Sequence, residues 1–257
     1  MKDESKYLAP AVDTAARVLE FLSRYRTSQS TLSEIASALE VPKSTCLRVL
    51  LTLSRHGLVS YSEDSKRYSL GFFAVVLGAR AEEGHSAINR ARPLMTEIVE
   101  RSGLTAALVQ RVSDDRLMYV AKSDGAAIST VHVSVGNRFP ILQVSYGKWY
   151  VAFADAEQRD AMVPTVLPTT ATRVTPDRAT YLAECDALDP HGVLVSRGEY
   201  APGVLAVSIP LVDQRGDLEG VVVALGFSDS FEEDELDPIR SMMQSIAMRC
   251  NAHVTAG

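Results

Sequence analysis

The sequence predicts an α+β chain of two domains, and three observations carry that assignment. Between residues 10 and 71 apolar residues recur with a helical period and then give way to a short alternating hairpin. A second helical stretch, rich in apolar residues, follows from 72 to about 103. From Leu104 the period changes to two, in six alternating segments separated by turns and further helical stretches. The expected organisation is a flexible lead over 1–9, a first domain over 10–71, a linker helix over 72–84 and a second domain over 85–257.

The first helix is expected from Pro10 to about Tyr25, with Val12, Ala15, Leu19 and Leu22 forming its buried stripe. Phe21 and Tyr25 lie off that stripe, either as a second contact surface or as a widening of the same face. Leu32, Ile35, Ala36 and Leu39 mark a short second helix, capped by Thr31 with Glu34 or by Ser33. Val41-Pro42 interrupts the pattern, and a third helix runs from Pro42, at its first helical position, to about His56, with Gly57 at C′.

That third helix has two unlike faces. At about 100° per residue, Cys46, Val49, Leu50 and Leu53 gather on the side that packs against the second helix. Ser44, Thr45, Arg48, Thr52 and Arg55 gather opposite. Small hydroxyls and guanidinium groups on a solvent face suit base edges and phosphates in a major groove. LVSY and KRYSL then alternate around Glu63-Asp64-Ser65 and form a wing, with Lys66 and Arg67 near its tip for backbone phosphate. Ser44, Thr45 and Arg48 are the expected base contacts; Lys43, Arg55, Lys66 and Arg67 are the expected phosphate contacts. An isolated amphipathic helix pair with solvated arginines would carry little weight. The whole order of capped helix, short turn, Pro-started helix and basic hairpin is far narrower and points to duplex DNA.

Charge distribution fits this division. The net charge is −6 over 257 residues, yet residues 1–71 hold ten Lys and Arg against eight Asp and Glu. The remainder is acidic, with 16 against 24. So small a positive excess places affinity in a local patch, doubled in a dimer. Three cysteines without a CxxC argue against a disulfide framework and against structural zinc. Cys46, on the apolar face, reads as a small core residue. No run of eighteen apolar residues and no signal-like N-terminus is present, so a cytoplasmic protein without a membrane span is expected.

The stretch from 72 to 103 predicts one or two helices, divided near Gly84. Its first part is apolar nearly all round at Phe72, Phe73, Val75, Val76 and Leu77, which suits burial against the same helix of a second chain. Strands are expected in LTAALVQRV, DRLMYVAKS and ISTVHVSV, the last closed by Gly136-Asn137. SYGKWYVAFADAEQRDAMV reads as one helix with Ser145 as N-cap. Another opens with Thr175 as cap and Pro176 at N1 and runs to about Leu188. VLVSR, VLAVSIPLV and LEGVVVALGF are strands, the last two joined by a turn at 213–216, and a final helix spans about Asp234 to Ala252. Helices covering a sheet give an α+β domain.

This second domain carries little that reads as catalysis. It has no GxSxG, P-loop or HExxH, and no GxGxxG after a strand. His85, His132, His191 and His253 are scattered without metal spacing. The acidic run 232–235 suits a helix N-terminus rather than a metal site. No catalytic residue, metal or cofactor is expected.

LSEIASALEVPKSTCLRVLLTLSRHGLV followed by RYSLG resembles the winged helix-turn-helix of the IclR family of bacterial transcription regulators. The similarity extends through RFP (138–140), SYGK (145–148), RGE..GV (Arg197 to Val204) and IPLVD..G. It implies a GAF-like effector-binding domain in which a small ligand lies between the helix after SYGK and the concave face of the sheet. It further implies a dimer, or a tetramer, on a near-palindromic operator, acting as a repressor, with the first helix helping to pair two DNA-binding domains. Family members that bind small polar acids carry Asp, Cys and two Ser on the sheet, where this chain has Ser196, Ala206, Val223 and Leu225. A buried carboxylate would be poorly hydrogen-bonded there, so an aromatic or otherwise apolar catabolite is expected. Its polar end would sit at the helix start, Ser145, Tyr146 and Gly147; Ile141 and Val204 complete the expected lining. Tyr146 and Trp149 could instead fill the chamber themselves. Two other classes remain: an enzyme carrying a winged helix as a docking module, and a winged helix used only for protein contacts.

Overall fold

The computed structural model describes residues 9–125, 130–168, 177–198 and 201–253, without the side chain of Glu233. The chain divides into two compact units, the first ending at His85 and the second beginning at Ser86.

The first unit opens with α1 (Pro10–Ser23), Pro10 standing at the helix start. Its buried stripe is Thr14, Val18 and Leu22, flanked by Ala15 and Leu19. Val12, expected inside, is 68% exposed, because the core lies on the Thr14–Val18–Leu22 side. The helix ends at Ser23, and Tyr25–Thr27 form one 3-10 turn. Phe21 widens the core face, whereas Tyr25 is exposed. Then α2 (Leu32–Ala38) starts with a complete capping box between Thr31 and Glu34. α3 (Lys43–Arg55) follows a turn, with Pro42 at the N-cap position rather than at N1.

The two helix ends form the same motif from different residues. Gly57, at φ +70°, donates to Ser54 O, and Leu58 donates to Leu53 O. Glu40, at φ +55°, donates to Ser37 O, and Val41 donates to Ala36 O. Both are Schellman closures, but only the first has the glycine that the left-handed conformation favours. The Arg17 guanidinium donates to Leu39 O at 2.7 Å and supports the second closure.

The wing pairs β1 (Val59–Ser62) with β2 (Arg67–Leu70) in antiparallel register, and Tyr68 also bridges to Ser30. Val18, Leu22, Ile35, Cys46, Leu50, Leu53, Val59 and Tyr68 close one core beneath all of these elements. α4 (Phe72–Gly84) completes the unit, with Phe72, Phe73, Val75, Val76 and Leu77 all exposed.

The second unit is built on a six-stranded antiparallel sheet of order β5-β4-β3-β8-β7-β6. Its strands are β3 (Thr105–Ser113), β4 (Arg116–Ser123), β5 (Arg138–Pro140), β6 (Leu194–Arg197), β7 (Val204–Val212) and β8 (Leu218–Phe227). α5 (Ser86–Ser102) and α9 (Glu233–Cys250) pack on one face through Ala91, Met95, Ile98, Met243 and Ile246. Asn251, fully buried, fastens the end of α9: its amide donates to Pro190 O and Pro210 O and its oxygen accepts from Val212 N. The other face receives α6 (Gly147–Ala152), α7 (Ala156–Met162) and α8 (Arg178–Asp186).

Three expectations change here. Residues 130–135 alternate in sequence but form no strand, and Val133 alone of them is buried; Gly136 and Asn137 bond to Tyr119, and the next strand is β5. Any extended segment alternates its side chains, so period two alone does not require a ladder. Residues 128 and 129 of that segment lie outside the described residues. The single helix expected over 145–163 is broken in two, because Asp155 caps a new helix in a box with Gln158. Ser145 is not a cap: the N-cap position is Tyr146, without a side-chain bond. Asp177 caps α8 through Thr180 N, while the expected cap Thr175 and Pro176 lie outside the described residues.

Candidate functional site

The outward face of α3 is the first candidate site. Lys43, Ser44, Thr45, Arg48, Thr52 and Arg55 are all exposed, while Cys46, Leu50 and Leu53 face the core. Among the described residues Lys43, Arg48 and Arg55 have no ion pair. The helix start is electrostatically unusual. Pro42 offers no side-chain cap, and the first turn holds no acidic residue but begins with Lys43. Uncapped N–H groups and a cation at the positive end of a helix favour an incoming anion. Thr45, Arg48 and Thr52 also line a cleft of about 400 Å³ against Pro10, Ala11 and Thr14 of α1. The Thr52 hydroxyl donates to Arg48 O at 2.8 Å, which leaves it only as an acceptor.

The two wing cations differ. Lys66 sits in the hairpin loop at φ +56° and meets Glu63 at 3.1 Å, an exposed pair that holds it weakly. The Arg67 guanidinium donates to Gln29 O at 2.8 Å and to Glu34 at 3.3 Å. It therefore ties the wing to the start of α2, a tertiary role that the sequence does not display. Hydrogen bonds from the Thr31 backbone and hydroxyl, with Arg67 adding to them, hold the Glu34 carboxyl below its ordinary range.

The second candidate site is the sheet face beneath α6. Register places Thr105, Leu225, Ala206 and Ser196 in one row across β3, β8, β7 and β6. Ala107, Val223, Ser208 and Leu194 form the next row on the same face. Ser196, Ala206, Val223 and Leu225, which the family resemblance singled out, are thus brought together and buried, and Ile141 and Val204 pack in the same cluster. Ser208 was missed, although a lone inward hydroxyl in an otherwise apolar strand was its visible signal. Its oxygen accepts from Trp149 Nε1 at 3.1 Å, and the indole is fully buried.

Aromatic hydroxyls complete this face. The Tyr119 and Tyr146 hydroxyls bond at 2.6 Å, and Tyr150 donates to Val109 O at 2.7 Å. Burial pushes all three phenols up, so they stay protonated. Lys148, on the same helix, is buried and paired with Glu184 at 2.7 Å. The anion seat expected at Ser145–Gly147 is not built as supposed. Gly147 N donates to Val144 O at 3.2 Å, and α6 has only six residues. A Cβ on Gly147 would lie 2.0 Å from Ile141 O, so glycine there permits the close approach that seats α6. Among the described residues no cluster of ligating side chains fit to hold a metal is present, and no helix is long and apolar enough to cross a membrane.

Two family models match this chain. One, described as the IclR helix-turn-helix domain, covers residues 11–63. The other, bacterial transcriptional regulator IclR C-terminal, covers residues 80–251. Among curated relatives, the transcriptional regulator KipR of Bacillus subtilis is 24% identical over 87% of this chain and 89% of its own length. The crystal structure of an IclR regulator from Alicyclobacillus acidocaldarius is 33% identical, covers 96% of this chain and 99% of its own, and superposes with a TM-score of 0.85. An IclR homologue from Microbacterium hydrocarbonoxydans, solved with 4-hydroxybenzoate, shares the fold at 18% identity and a TM-score of 0.77, covering 94% and 99%. Winged helix-turn-helix, effector domain and relatives agree: the chain is a DNA-binding transcriptional regulator, not an enzyme, and it belongs to the IclR family.

Proposed function

We propose that this chain is a cytoplasmic repressor that binds a near-palindromic operator as a homodimer, or as a tetramer, and senses an aromatic or largely apolar catabolite. The observation that carries the operator reading is α3, a capless helix start with Lys43 and with Ser44, Arg48 and Arg55 facing solvent unpaired. Ser44, Thr45 and Arg48 read base edges; Lys43, Arg55 and Lys66 meet phosphate. Thr52 contributes as an acceptor, and Arg67 mainly fixes the wing through Glu34. Two half-sites require two copies, and the apolar surface of α4 supports pairing of chains. Repression is the simplest use of a protein that occupies DNA until a ligand intervenes. DNase footprinting on the adjoining intergenic DNA tests this; protection of two related half-sites is expected, and no protection at any salt would overturn it.

The effector reading rests on the composition of the sheet face. Ala206, Val223 and Leu225 offer no hydrogen bonds, so the pocket favours a ring over a small polyacid. The Ser196 hydroxyl and the Trp149–Ser208 pair provide the polar groups for one end of such a ligand. The Microbacterium hydrocarbonoxydans homologue, solved with 4-hydroxybenzoate, supports an aromatic ligand. A second reading, a chamber filled by its own side chains, has one observation in its favour: Trp149 is fully buried and already bonded. Trp149 is the only tryptophan in the sequence, so its fluorescence reports directly on this space. Titration with 4-hydroxybenzoate and neutral aromatics is expected to shift the emission saturably. Response to a small dicarboxylate alone would overturn the apolar pocket, and indifference to every compound would favour the filled chamber.

A further inference from the structure

We infer that Leu47 and Leu51 form an apolar strip on α3 that packs against thymine C5-methyl groups in the major groove. This rests on the operator reading above and names a specificity determinant within the same site. The two leucines stand one turn apart, which puts them side by side on the helix surface. Leu47 is 36% exposed and Leu51 is 58% exposed, and neither belongs to the buried core of its own unit. Such residues on an otherwise polar face bury their surface only when something covers them.

The surroundings decide what covers them. Ser44, Arg48 and Arg55 flank the strip, and Lys43 stands at the same helix start. Neither arginine has an ion pair among the described residues. A second copy of this face would bring Arg48 and Arg55 against their own equivalents, and like charges across an interface oppose association. A protein partner would have to supply apolar surface and two matched carboxylates together. A DNA major groove offers both features in one place. Thymine projects a methyl group beside the acceptors of neighbouring purines, and phosphates line both walls. Arg48 and Arg55 are then neutralised by the same approach that covers the leucines.

Replacing thymine with deoxyuridine removes one methyl and leaves base pairing intact, so it isolates this contact. The footprinted fragment is substituted one thymine at a time, and affinity is measured for the full-length protein and for the variants Leu51→Ala and Leu47→Ala. For the natural sequence, one or two positions in each half-site are expected to lose about fourfold in affinity, the worth of one buried methyl-sized group. In the variant lacking the touching leucine, that loss disappears at its position and persists elsewhere. Both leucines are partly or largely exposed, so the variants should keep the thermal midpoint of the parent. If no deoxyuridine substitution weakens the natural protein, or if the loss survives unchanged in both variants, the inference is wrong while the operator reading stands. If no fragment is bound at all, the operator reading fails and takes this inference with it.

Discussion

The two sites differ in where their polar groups look for partners. On α3, Lys43, Ser44, Arg48 and Arg55 face outward, and the cations are unpaired among the described residues. On the sheet face of the second unit three aromatic polar groups are buried and already bonded: Trp149 to Ser208, Tyr119 to Tyr146, Tyr150 to Val109 O. The first surface is built to gain bonds from a partner it has not yet met. The second must break or extend bonds it already holds. Affinity at α3 should therefore depend on single exposed side chains and on salt. Changes under α6 should register first as stability and only then as binding.

Substitutions can break or sharpen that contrast. Trp149→Ala has the largest expected effect, a loss of about 4 kcal/mol from cavity formation in the sheet face; denaturant titration followed by circular dichroism measures it. Arg48→Ala should leave stability within about 0.5 kcal/mol of the parent, because the side chain is exposed and unpaired. A large loss of stability there would blur the distinction between the two sites. Glu40→Gly should raise the stability of the first unit by about 0.5–1 kcal/mol, since Glu40 holds a left-handed conformation that glycine adopts without strain.

Smaller effects concern charge. The Glu34 carboxyl lies below its ordinary value of 4.5, chiefly because Thr31 bonds its ionised form. A depressed carboxyl stabilises the folded unit above the unfolded value, and that contribution is lost as pH falls through the lower folded value. Acid titration of the first unit's stability should show this loss below about pH 4.5, and Glu34→Gln should flatten it. Lys66→Ala should weaken operator and random DNA alike and lower the salt slope by about one; an unchanged slope would remove the wing tip from the interface.

The first unit was the more legible because its signals are local. Thr31 and Glu34 are three residues apart and form the capping box. Cys46, Leu50 and Leu53 fall together by helical geometry alone. What escaped there was tertiary: Arg67 reaches back to Glu34 and Gln29, across more than 30 residues. Leu47 and Leu51 escaped because apolar residues on a helix read as core by default, and their exposure is set by which neighbours exist. In the second unit the strands β3, β4 and β6–β8 followed from alternation, and the row containing Ser196, Ala206 and Leu225 followed from likeness to a family. The break at Asp155 was obscured because Ala154, Ala156 and the flanking polar residues also suit an unbroken helix. Ser208 gains its meaning only from Trp149, 59 residues away in sequence.

The most direct test of the central claim compares operator and random duplex across a range of salt, for the natural protein and for Arg48→Ala. If α3 reads bases, the natural protein prefers its operator, and Arg48→Ala reduces that preference by roughly 10- to 100-fold, the worth of one good base contact. If both proteins bind the two duplexes with the same ratio at every salt concentration, Arg48 does not read the operator, and the outward face of α3 is not where the sequence is recognised.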